Sequence, residues 1–339
     1  MKEFNLYLYI EYMKIFLRCV ISIAFLMCTK VMSQALPFSF IALGDLPYGD
    51  TRRVENNYRK LIQSINSTGP VFSIHVGDFK TGSSECSNQE FKKQFDHFGL
   101  FENALIYTPG DNDWTDCHRF HGAFDQPLER LSALRSRFFS SQASMGKRPI
   151  ILERQSNLYT EFSGFPENQR WVHNQVLFVT LHVVGSNNNY DPKMKDPKQV
   201  AEFTGRDDAN IAWIRSSFQF VEAQKLSAIV FAFQGDLFIE KSSFELFPLS
   251  SGFKTSIGDN LLPLAAKANV PILIIHGDSH KFKFDQPFFI GDKRIVNLTR
   301  LEVPGAQDVR AVEVTVDIES ASPFRAKLIG DAIDHPSQD

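Results

Sequence analysis

The sequence predicts one α/β domain built from two stacked β-sheets with helices outside, and three observations support this fold class. Short apolar runs typical of buried strands alternate with segments whose apolar residues recur every three or four positions, as in amphipathic helices. Four of the apolar runs end in Gly-Asp. The C-terminal part of the chain shows further strand-like runs without helices between them. This order of elements favours sheets packed in layers.

The first half of the chain contains a βαβ unit, because a helical segment at Thr51–Asn66 joins the apolar runs Phe38–Leu43 and Val71–Val76. A right-handed crossover is expected for such a unit. Further helices are predicted at residues 88–98, 128–139, 207–223 and 261–268. Further strands are predicted at residues 104–107, 150–153, 158–162, 176–184, 228–233, 271–276, 296–301, 311–317 and 324–328. Residues 141–175 are the least regular part of this pattern.

Size and composition are those of an ordinary globular protein. The chain has 339 residues, of which 43% are hydrophobic and 22% charged, and its net charge is −3 with both signs interspersed. Nothing in this balance suggests a surface for nucleic acid. The 32 phenylalanines are interpreted as core filling rather than as an aromatic binding surface. The sequence carries no indication of the oligomeric state.

The N-terminus has the layout of a secretory signal peptide. A segment with basic residues leads into an apolar stretch, and the small-residue site Ser33-Gln34-Ala35 follows. The apolar stretch is short and interrupted by polar residues, which argues against a permanent membrane span. The sequence therefore predicts a cleaved signal peptide at residues 1–35, a domain at 36–330 and a tail at 331–339. The mature protein is expected in the periplasm or outside the cell.

The main functional signal is a set of acidic residues at the ends of apolar runs. Gly44-Asp45, Gly77-Asp78, Gly110-Asp111 and Gly277-Asp278 each fall just after a predicted strand, and His280 closes the last junction. Ligands of parallel α/β sheets bind at the carboxyl ends of the strands, so these side chains are expected at one edge. A single aspartate after a strand is more often a turn or cap residue. The recurrence of one junction with a histidine attached favours a metal site.

A pair of divalent ions about 3.5–4 Å apart could clamp a phosphoryl group at this edge. Asp78 is the best candidate for a bridging carboxylate, because it follows the run that looks most buried. Gln234 also falls just after a strand. The candidate metal ligands are Asp45, Asp78, Asp111, Gln234, Asp278 and His280.

Two cysteines remain after removal of the signal peptide, Cys86 and Cys117. An even number in an exported protein favours a disulfide over two free thiols. Cys86 lies in the loop after Asp78 and Cys117 in the loop after Asp111, so the bridge would join two loops of the candidate site.

Histidines outside the junctions are weaker candidates. His118 and His121 lie in the loop after the acidic stretch, where either could donate a proton or contact phosphate, or simply be a surface residue. His276 could reach the site or pack in the core. His75 and His182 lie inside predicted strands and are interpreted as hydrogen-bonded core residues.

The junctions resemble the motifs of the calcineurin-like metallophosphoesterase superfamily, which includes the purple acid phosphatases. That superfamily has D-x-H, G-D, G-N-H-D/E, a lone His and G-H-x-H, in this order. The corresponding segments here are Asp45-Leu-Pro47, Gly77-Asp78, Gly110-Asp-Asn-Asp113, Gln234 and Gly277-Asp-Ser-His280. The chain is especially similar to divergent exported bacterial members with G-D-N-D/E-W-T-D-C-H and H-G-D-S/T-H. The resemblance covers residues 38 to about 285 and implies a four-layer α/β/β/α sandwich with a binuclear metal centre.

Several positions depart from the superfamily motifs. Pro47, Gln234 and Asp278 stand where the superfamily has ligand histidines, and Asp111 stands in the slot of a ligand asparagine. Asn112 stands in the slot of the catalytic histidine. The remaining set is rich in oxygen, which favours Mn²⁺, Mg²⁺ or Ca²⁺ over Zn²⁺ or iron.

The resemblance implies an exported metal-dependent phosphoester hydrolase that attacks a small substrate with a metal-activated hydroxide. Without the catalytic imidazole, the leaving group must take a proton from His118, His121 or bound water, or must already be a good leaving group. Arg119 could pair with phosphate oxygens. The alternative is a non-catalytic protein of the same fold that binds a cation or a phosphorylated ligand.

Overall fold

The structure is a computed structural model that describes Met13 and residues 36–49, 51–119, 126–238 and 249–330. The predicted signal peptide, apart from Met13, and the tail at 331–339 lie outside the described residues, as does His121. The described residues from Pro37 onward belong to one compact unit.

The first sheet has five strands in the order β14-β13-β1-β2-β3. Its parallel part consists of β1 (Phe38–Leu43), β2 (Phe72–His75) and β3 (Ala104–Tyr107). The antiparallel strands β13 (Ala311–Val316) and β14 (Phe324–Ile329) extend it beyond β1. The carboxyl ends of three parallel strands therefore lie side by side.

Three helices cover the outer face of this sheet: α1 (Arg52–Thr68), α2 (Asn88–Phe98) and α3 (Pro127–Phe138). The Thr51 side chain caps α1 by accepting a hydrogen bond from the Val54 amide (3.3 Å). The apolar faces of the helices pack on outward-facing residues of the strands. This layer buries Ile41, Leu43, Tyr58, Leu61, Ile62, Ile65, Phe91, Phe98, Leu105, Tyr107, Leu134 and Phe138.

The second sheet has seven strands in the order β4-β5-β6-β7-β8-β12-β9. Its four central strands, β6 to β8 and β12, are parallel, and antiparallel strands occupy both edges. The strands are β4 (Glu153–Arg154), β5 (Gln169–His173), β6 (Val176–Thr180), β7 (Ala228–Ala232), β8 (Ile272–His276), β9 (Lys283–Asp285) and β12 (Leu298–Glu302). A separate hairpin joins β10 (Phe289–Ile290) to β11 (Lys293–Arg294).

Further helices lie against the outer face of the second sheet. The single-turn α4 (Gln155–Leu158) is followed by α5 (Pro197–Gln224) and α6 (Leu262–Lys267), and a π-helix at Lys254–Leu261 precedes α6. Trp213 and Ile214 of α5 share a core with the outward-facing residues of the central strands.

The two sheets pack face to face around the largest core. Phe40, Phe72 and Ile74 of the first sheet contact the layer formed by Phe178, Val230 and other residues of the second. Helices, sheet, sheet and helices thus form four layers, which confirms the predicted α/β/β/α sandwich.

The prediction of a strand at residues 158–162 is wrong. Leu158 ends α4, and Thr160–Phe162 forms a short 3₁₀ helix. The sequence did not predict β5, because the two apolar residues of Gln-Arg-Trp-Val-His are adjacent and show no alternation with polar residues. Arg170 of this strand stacks its guanidinium 4.5 Å from the Trp213 ring centroid and 4.4 Å from that of Phe220.

In the part of the chain that the structure describes, no helix has the length and apolarity required to traverse a lipid bilayer.

Candidate metal centre

The fold brings the acidic junctions of both sheets together. Asp45 and Asp78 follow β1 and β2, and Asp278 follows β8 of the other sheet. The Asp278 amide donates to both carboxylate oxygens of Asp45 (3.2 and 3.1 Å). The backbone of one sheet's junction therefore contacts the carboxylate of the other sheet's junction.

Glycines allow this close approach. A Cβ atom on Gly110 would lie 2.0 Å from Asp78 Oδ1, and one on Gly277 would lie 2.2 Å from Asp45 Oδ2. A Cβ atom on Gly185 would lie 2.6 Å from Asp278 Oδ1 and 2.8 Å from Asp111 Oδ2. Any side chain at these positions would displace a candidate ligand.

Four candidate ligands have left-handed backbone conformations. The φ angles are 53° at Asp45, 56° at Asp78, 77° at Asp278 and 63° at His280. A non-glycine residue with positive φ is uncommon, and such residues concentrate at functional sites.

Burial makes the negative charge of this cluster costly. Asp45 and Asp78 are fully or almost fully buried. Burial first, and then the neighbouring carboxylates, raise the pKa values of Asp45, Asp78 and Asp278 well above the usual 3.8. The largest contribution of a neighbouring carboxylate comes from Asp278 at Asp45, and from Asp111 at both Asp78 and Asp278. A bound divalent cation would neutralise the repulsion.

The donor set suits a hard cation. It offers several carboxylate oxygens and the His280 imidazole, with glycines leaving space around the oxygens. Among the described residues, no three His, Cys, Asp or Glu side chains already share one ligation point.

Tyr48 lies among the candidate ligands and contacts both the bridge candidate and His280. Its hydroxyl donates to Asp78 Oδ2 (2.9 Å) and accepts from Asn112 Nδ2 (2.6 Å). His280 Nε2 lies 3.3 Å from the same hydroxyl and 3.8 Å from Asp45 Oδ1. Burial, and then Asp78 and Asp45, raise the pKa of Tyr48, so the hydroxyl is neutral.

Asp113 holds the acidic loop against the first sheet. Its carboxylate accepts from the amides of Asp78 (3.0 Å), Phe79 (3.0 Å) and Gly110 (2.8 Å), and from the Tyr107 hydroxyl (2.7 Å). Burial raises the pKa of Asp113 to about 6, although the hydrogen bonds from Gly110, Tyr107 and Phe79 lower it. Asp113 thus fixes the backbone on both sides of the candidate bridge.

A second buried network holds the same loop against the second sheet. Trp114 Nε1 donates to His182 Nε2 (3.1 Å), and His182 Nδ1 bonds Glu167 Oε1 (2.6 Å). Arg135 pairs with Glu167 at 2.5 Å. Although burial opposes ionisation, Arg135 and His182 lower the pKa of Glu167 below its usual range.

The Cys86–Cys117 disulfide is present and buried. It connects the loop after Asp78 to the 3₁₀ helix Thr115–Arg119, which follows Asp111. The two loops that carry the candidate bridge and its neighbour are therefore covalently joined.

Asp111 contacts residues 186–189, a segment that the sequence analysis did not assign to the site. Ser186 Oγ donates to Asp111 Oδ2 (2.7 Å), and Arg119 Nη2 donates to Ser186 Oγ (3.1 Å). Residues 186–189 all have φ between 48° and 57°. The sequence Ser-Asn-Asn-Asn is the signal that could have identified this segment, because asparagine visits the left-handed region more readily than most residues.

The remaining predicted residues occupy varied places. Gln234 is buried beside the site, where its Oε1 accepts from the Gly185 amide (2.5 Å). His118 is exposed and bonds the Thr115 carbonyl oxygen (2.7 Å). His276 is buried, with its ring parallel to that of Phe233. His75 and His182 are buried and hydrogen-bonded, as predicted.

Solved structures show the same architecture. GAP50, the anchor in the inner membrane complex of Plasmodium, has a TM-score of 0.51 at 14% identity, over 88% of this chain and 87% of that one. A dimetal phosphatase from Danio rerio has a TM-score of 0.51 at 9% identity, over 86% and 98%. Purple acid phosphatase PPD1 from yellow lupin has a TM-score of 0.48 at 13% identity, over 88% and 55%.

The chain therefore has the calcineurin-like metallophosphoesterase fold, as the resemblance implied. No protein-family model matches the sequence, and no curated protein matches it at the sequence level.

Proposed function

We propose that the protein is an exported metal-dependent phosphoester hydrolase with two divalent cations at an oxygen-rich site. The observation that carries this proposal is the cluster of buried carboxylates contributed by both sheets, pressed against glycines and mutually repelling. Such a cluster is costly unless cations compensate it. The similarity in fold to a dimetal phosphatase supports the same reading.

The residues divide into three roles. Asp45, Asp78, Asp111, Gln234, Asp278 and His280 would hold the cations, with Asp78 as the candidate shared ligand. Bound divalent ions would polarise a phosphoryl oxygen and acidify a water molecule. Tyr48 and Asn112 hydrogen-bond the Asp78 carboxylate and hold it in place. Asp113 and Trp114 keep the loop in place from its two sides.

Export is supported by the disulfide and by the signal-peptide layout of residues 1–35. Disulfides persist in oxidising compartments and are rare in the cytosol.

Metal reconstitution tests the function. The purified protein is treated with chelator, and Mn²⁺, Mg²⁺, Ca²⁺ and Zn²⁺ are added back separately before hydrolysis of an activated aryl phosphate and a phosphodiester is measured. Restoration by Mn²⁺ or Mg²⁺ with two ions bound per chain supports the proposal. Binding of no cation, together with no hydrolysis, would refute it.

A non-catalytic role is the second candidate, and two observations favour it. The fold is similar to GAP50, an anchor. The Gln234 carboxamide oxygen is already engaged by the Gly185 amide. Stoichiometric cation binding without hydrolysis of any activated ester would support this candidate over the enzyme.

A further inference from the structure

The loop that carries Asp278 and His280 crosses over the end of another strand. It joins β8 to β9, but β12 lies between these two strands in the sheet. Glu302 is the last residue of β12, and it pairs in register with His276 of β8 and with Lys283 of β9. The loop therefore passes over the strand end at which Glu302 stands.

The Glu302 carboxylate is fully buried and contacts the residues on both sides of His280. Its Oε1 accepts from the Ser279 hydroxyl and from the Lys281 amide (3.2 Å), and its Oε2 lies 2.7 Å from Lys283 Nζ. A buried carboxylate is costly unless it is paired and hydrogen-bonded. Among the described residues, all of its hydrogen-bond and ion-pair partners belong to this loop and to β9.

The loop depends on such contacts because its backbone is strained. Asp278 and His280 have φ angles of 77° and 63°, which lie in the left-handed region. Non-glycine residues persist there only where the surrounding structure fixes them. The Asp45 carboxylate holds the Asp278 amide, and Glu302 holds the backbone that follows His280.

The His280 side chain is not fixed by burial. It is 34% exposed, and its Nε2 lies 3.3 Å from the Tyr48 hydroxyl and 3.8 Å from Asp45 Oδ1. The position of the imidazole therefore depends on the backbone that carries it.

Resting on the proposed function, we propose that Glu302 is a positioning residue that fixes His280 for cation binding. Its carboxylate oxygens are engaged by Ser279, Lys281 and Lys283, so Glu302 acts through His280 and not as a ligand. Lys283 compensates the negative charge that this role places in a buried position.

The first sheet carries a similar arrangement. Asp113 is also buried, and it accepts from the amides of Asp78 and Phe79. Each sheet thus holds one loop of candidate ligands with a buried carboxylate that belongs to another segment of the chain.

Calorimetric Mn²⁺ binding to the chelator-treated full chain tests the role. Glu302→Gln keeps the size of the side chain, but its one carbonyl oxygen cannot serve both the loop and Lys283. Affinity for Mn²⁺ should fall ~10–100-fold, the usual effect of losing an outer partner of a metal ligand. Asp285→Asn, which breaks a neighbouring ion pair of β9 with Arg300, is the matched control and should leave the affinity unchanged. Unchanged affinity in Glu302→Gln would overturn the proposal.

A double-mutant cycle with His280→Ala separates positioning from a general effect of charge or stability. If Glu302 acts through His280, Glu302→Gln should cost little further Mn²⁺ affinity once the imidazole is absent, because residues that act as a unit are not additive. The same loss in both backgrounds would show that Glu302 acts on the site as a whole, and it would also overturn the proposal.

Hydrogen exchange in the metal-free protein gives a readout that does not depend on hydrolysis. The Lys281 amide should exchange at least ~10-fold faster in Glu302→Gln, as expected for a weakened hydrogen bond to a charged group, while the amides within β12 stay protected. If Glu302→Gln does not fold, Ser279→Ala removes one contact of the carboxylate and should lower Mn²⁺ affinity ~5-fold. Unchanged exchange and affinity in these variants would contradict the positioning role. A natural chain that binds no Mn²⁺ would instead refute the proposed metal centre, and the exchange rates would still show whether Glu302 holds the loop.

Discussion

At the scale of single residues, the site is defined by buried carboxylates, whose negative charge is unfavourable without a compensating partner. Asp78 is the most constrained of them, because the Asn112 amide, the Asn112 side chain and the Tyr48 hydroxyl all bond its oxygens. Asp78 is thus held by residues of the loop after β1 and of the loop after β3, a central position that suits a bridging ligand.

Asp78→Asn should remove metal and hydrolysis together. The substitution keeps the shape but removes the charge that a bridging ligand needs, so metal affinity should fall by more than the ~10–100-fold typical of an outer partner. Asp96→Asn alters an exposed carboxylate paired with Lys92 and is the control. Metal content by mass spectrometry and turnover are measured in both. Full metal content in Asp78→Asn would show that Asp78 is not the bridge.

At the scale of structural elements, the acidic loop after β3 depends on partners that are distant in sequence. Trp114 is tied through His182 to Glu167 and then to Arg135 of α3. These contacts join the loop to the segment after β6, to the segment before β5 and to the first helix layer.

Glu167→Ala should destabilise the fold by ~3–5 kcal/mol, because it leaves the partners of a buried charge network unpaired. Glu55→Ala, which breaks an exposed pair with Arg59, should cost less than ~1 kcal/mol. Urea unfolding of both variants measures the difference. A cost for Glu167→Ala as small as that of the control would mean that the network does not stabilise the loop.

The same network should make stability fall in acid. The pKa of Glu167 is lower in the folded state than its usual 4.5, so its contribution is fully present above 4.5. The unfolded chain binds more protons as pH drops through this value, and the contribution is lost progressively below it. Unfolding free energy followed from pH 6 to pH 3 should fall less steeply in Glu167→Gln than in the natural sequence. Identical slopes would contradict this assignment.

Much of the arrangement of the structural elements could be predicted from the sequence. Strand ends marked by Gly-Asp located Asp45, Asp78, Asp111 and Asp278, because periodicity and turn residues are local signals. The contribution of Tyr48 and Ser186 could not be predicted so directly, since it depends on contacts between segments far apart in the chain. The predictions for residues 141–175 were partly wrong for a related reason. Arg170 is buried there by stacking on aromatic rings of another element, which no local pattern reveals.

At the scale of the whole molecule, both sheets contribute carboxylates to one edge, so the site couples the two halves of the sandwich. Asp45 and Asp78 belong to the first sheet and Asp278 to the second. Cations at this edge should therefore stabilise the entire fold.

Chelator-treated protein should lose stability as pH rises above the usual aspartate value of 3.8. The pKa values of Asp45, Asp78 and Asp278 are raised in the folded state, so the folded chain binds more protons than the unfolded chain in this window. Added Mn²⁺ should raise Tm at pH 7 and have little effect near pH 4. Calorimetry at both pH values checks this; an equal shift at both would contradict it.

The mature chain should begin near Leu36 and carry the Cys86–Cys117 disulfide. Intact mass after export, with and without reductant, measures both features. Reduction should add two hydrogens and, because the bridge closes a loop with a sequence separation of 31, should cost ~2–4 kcal/mol of stability. An intact N-terminus in exported protein would contradict the cleavage, and two free thiols would contradict the bridge.

Trp114 gives the candidate centre an intrinsic optical reporter. The chain has three tryptophans, and Trp114 alone follows the acidic loop directly, with its indole nitrogen bonded to His182. Indole emission depends on local polarity and on hydrogen bonding at that nitrogen. A Trp114→Phe difference spectrum would therefore isolate the light emitted beside the carboxylates. Occupancy by cations or phosphate could then be followed by fluorescence without a coloured substrate or an attached dye.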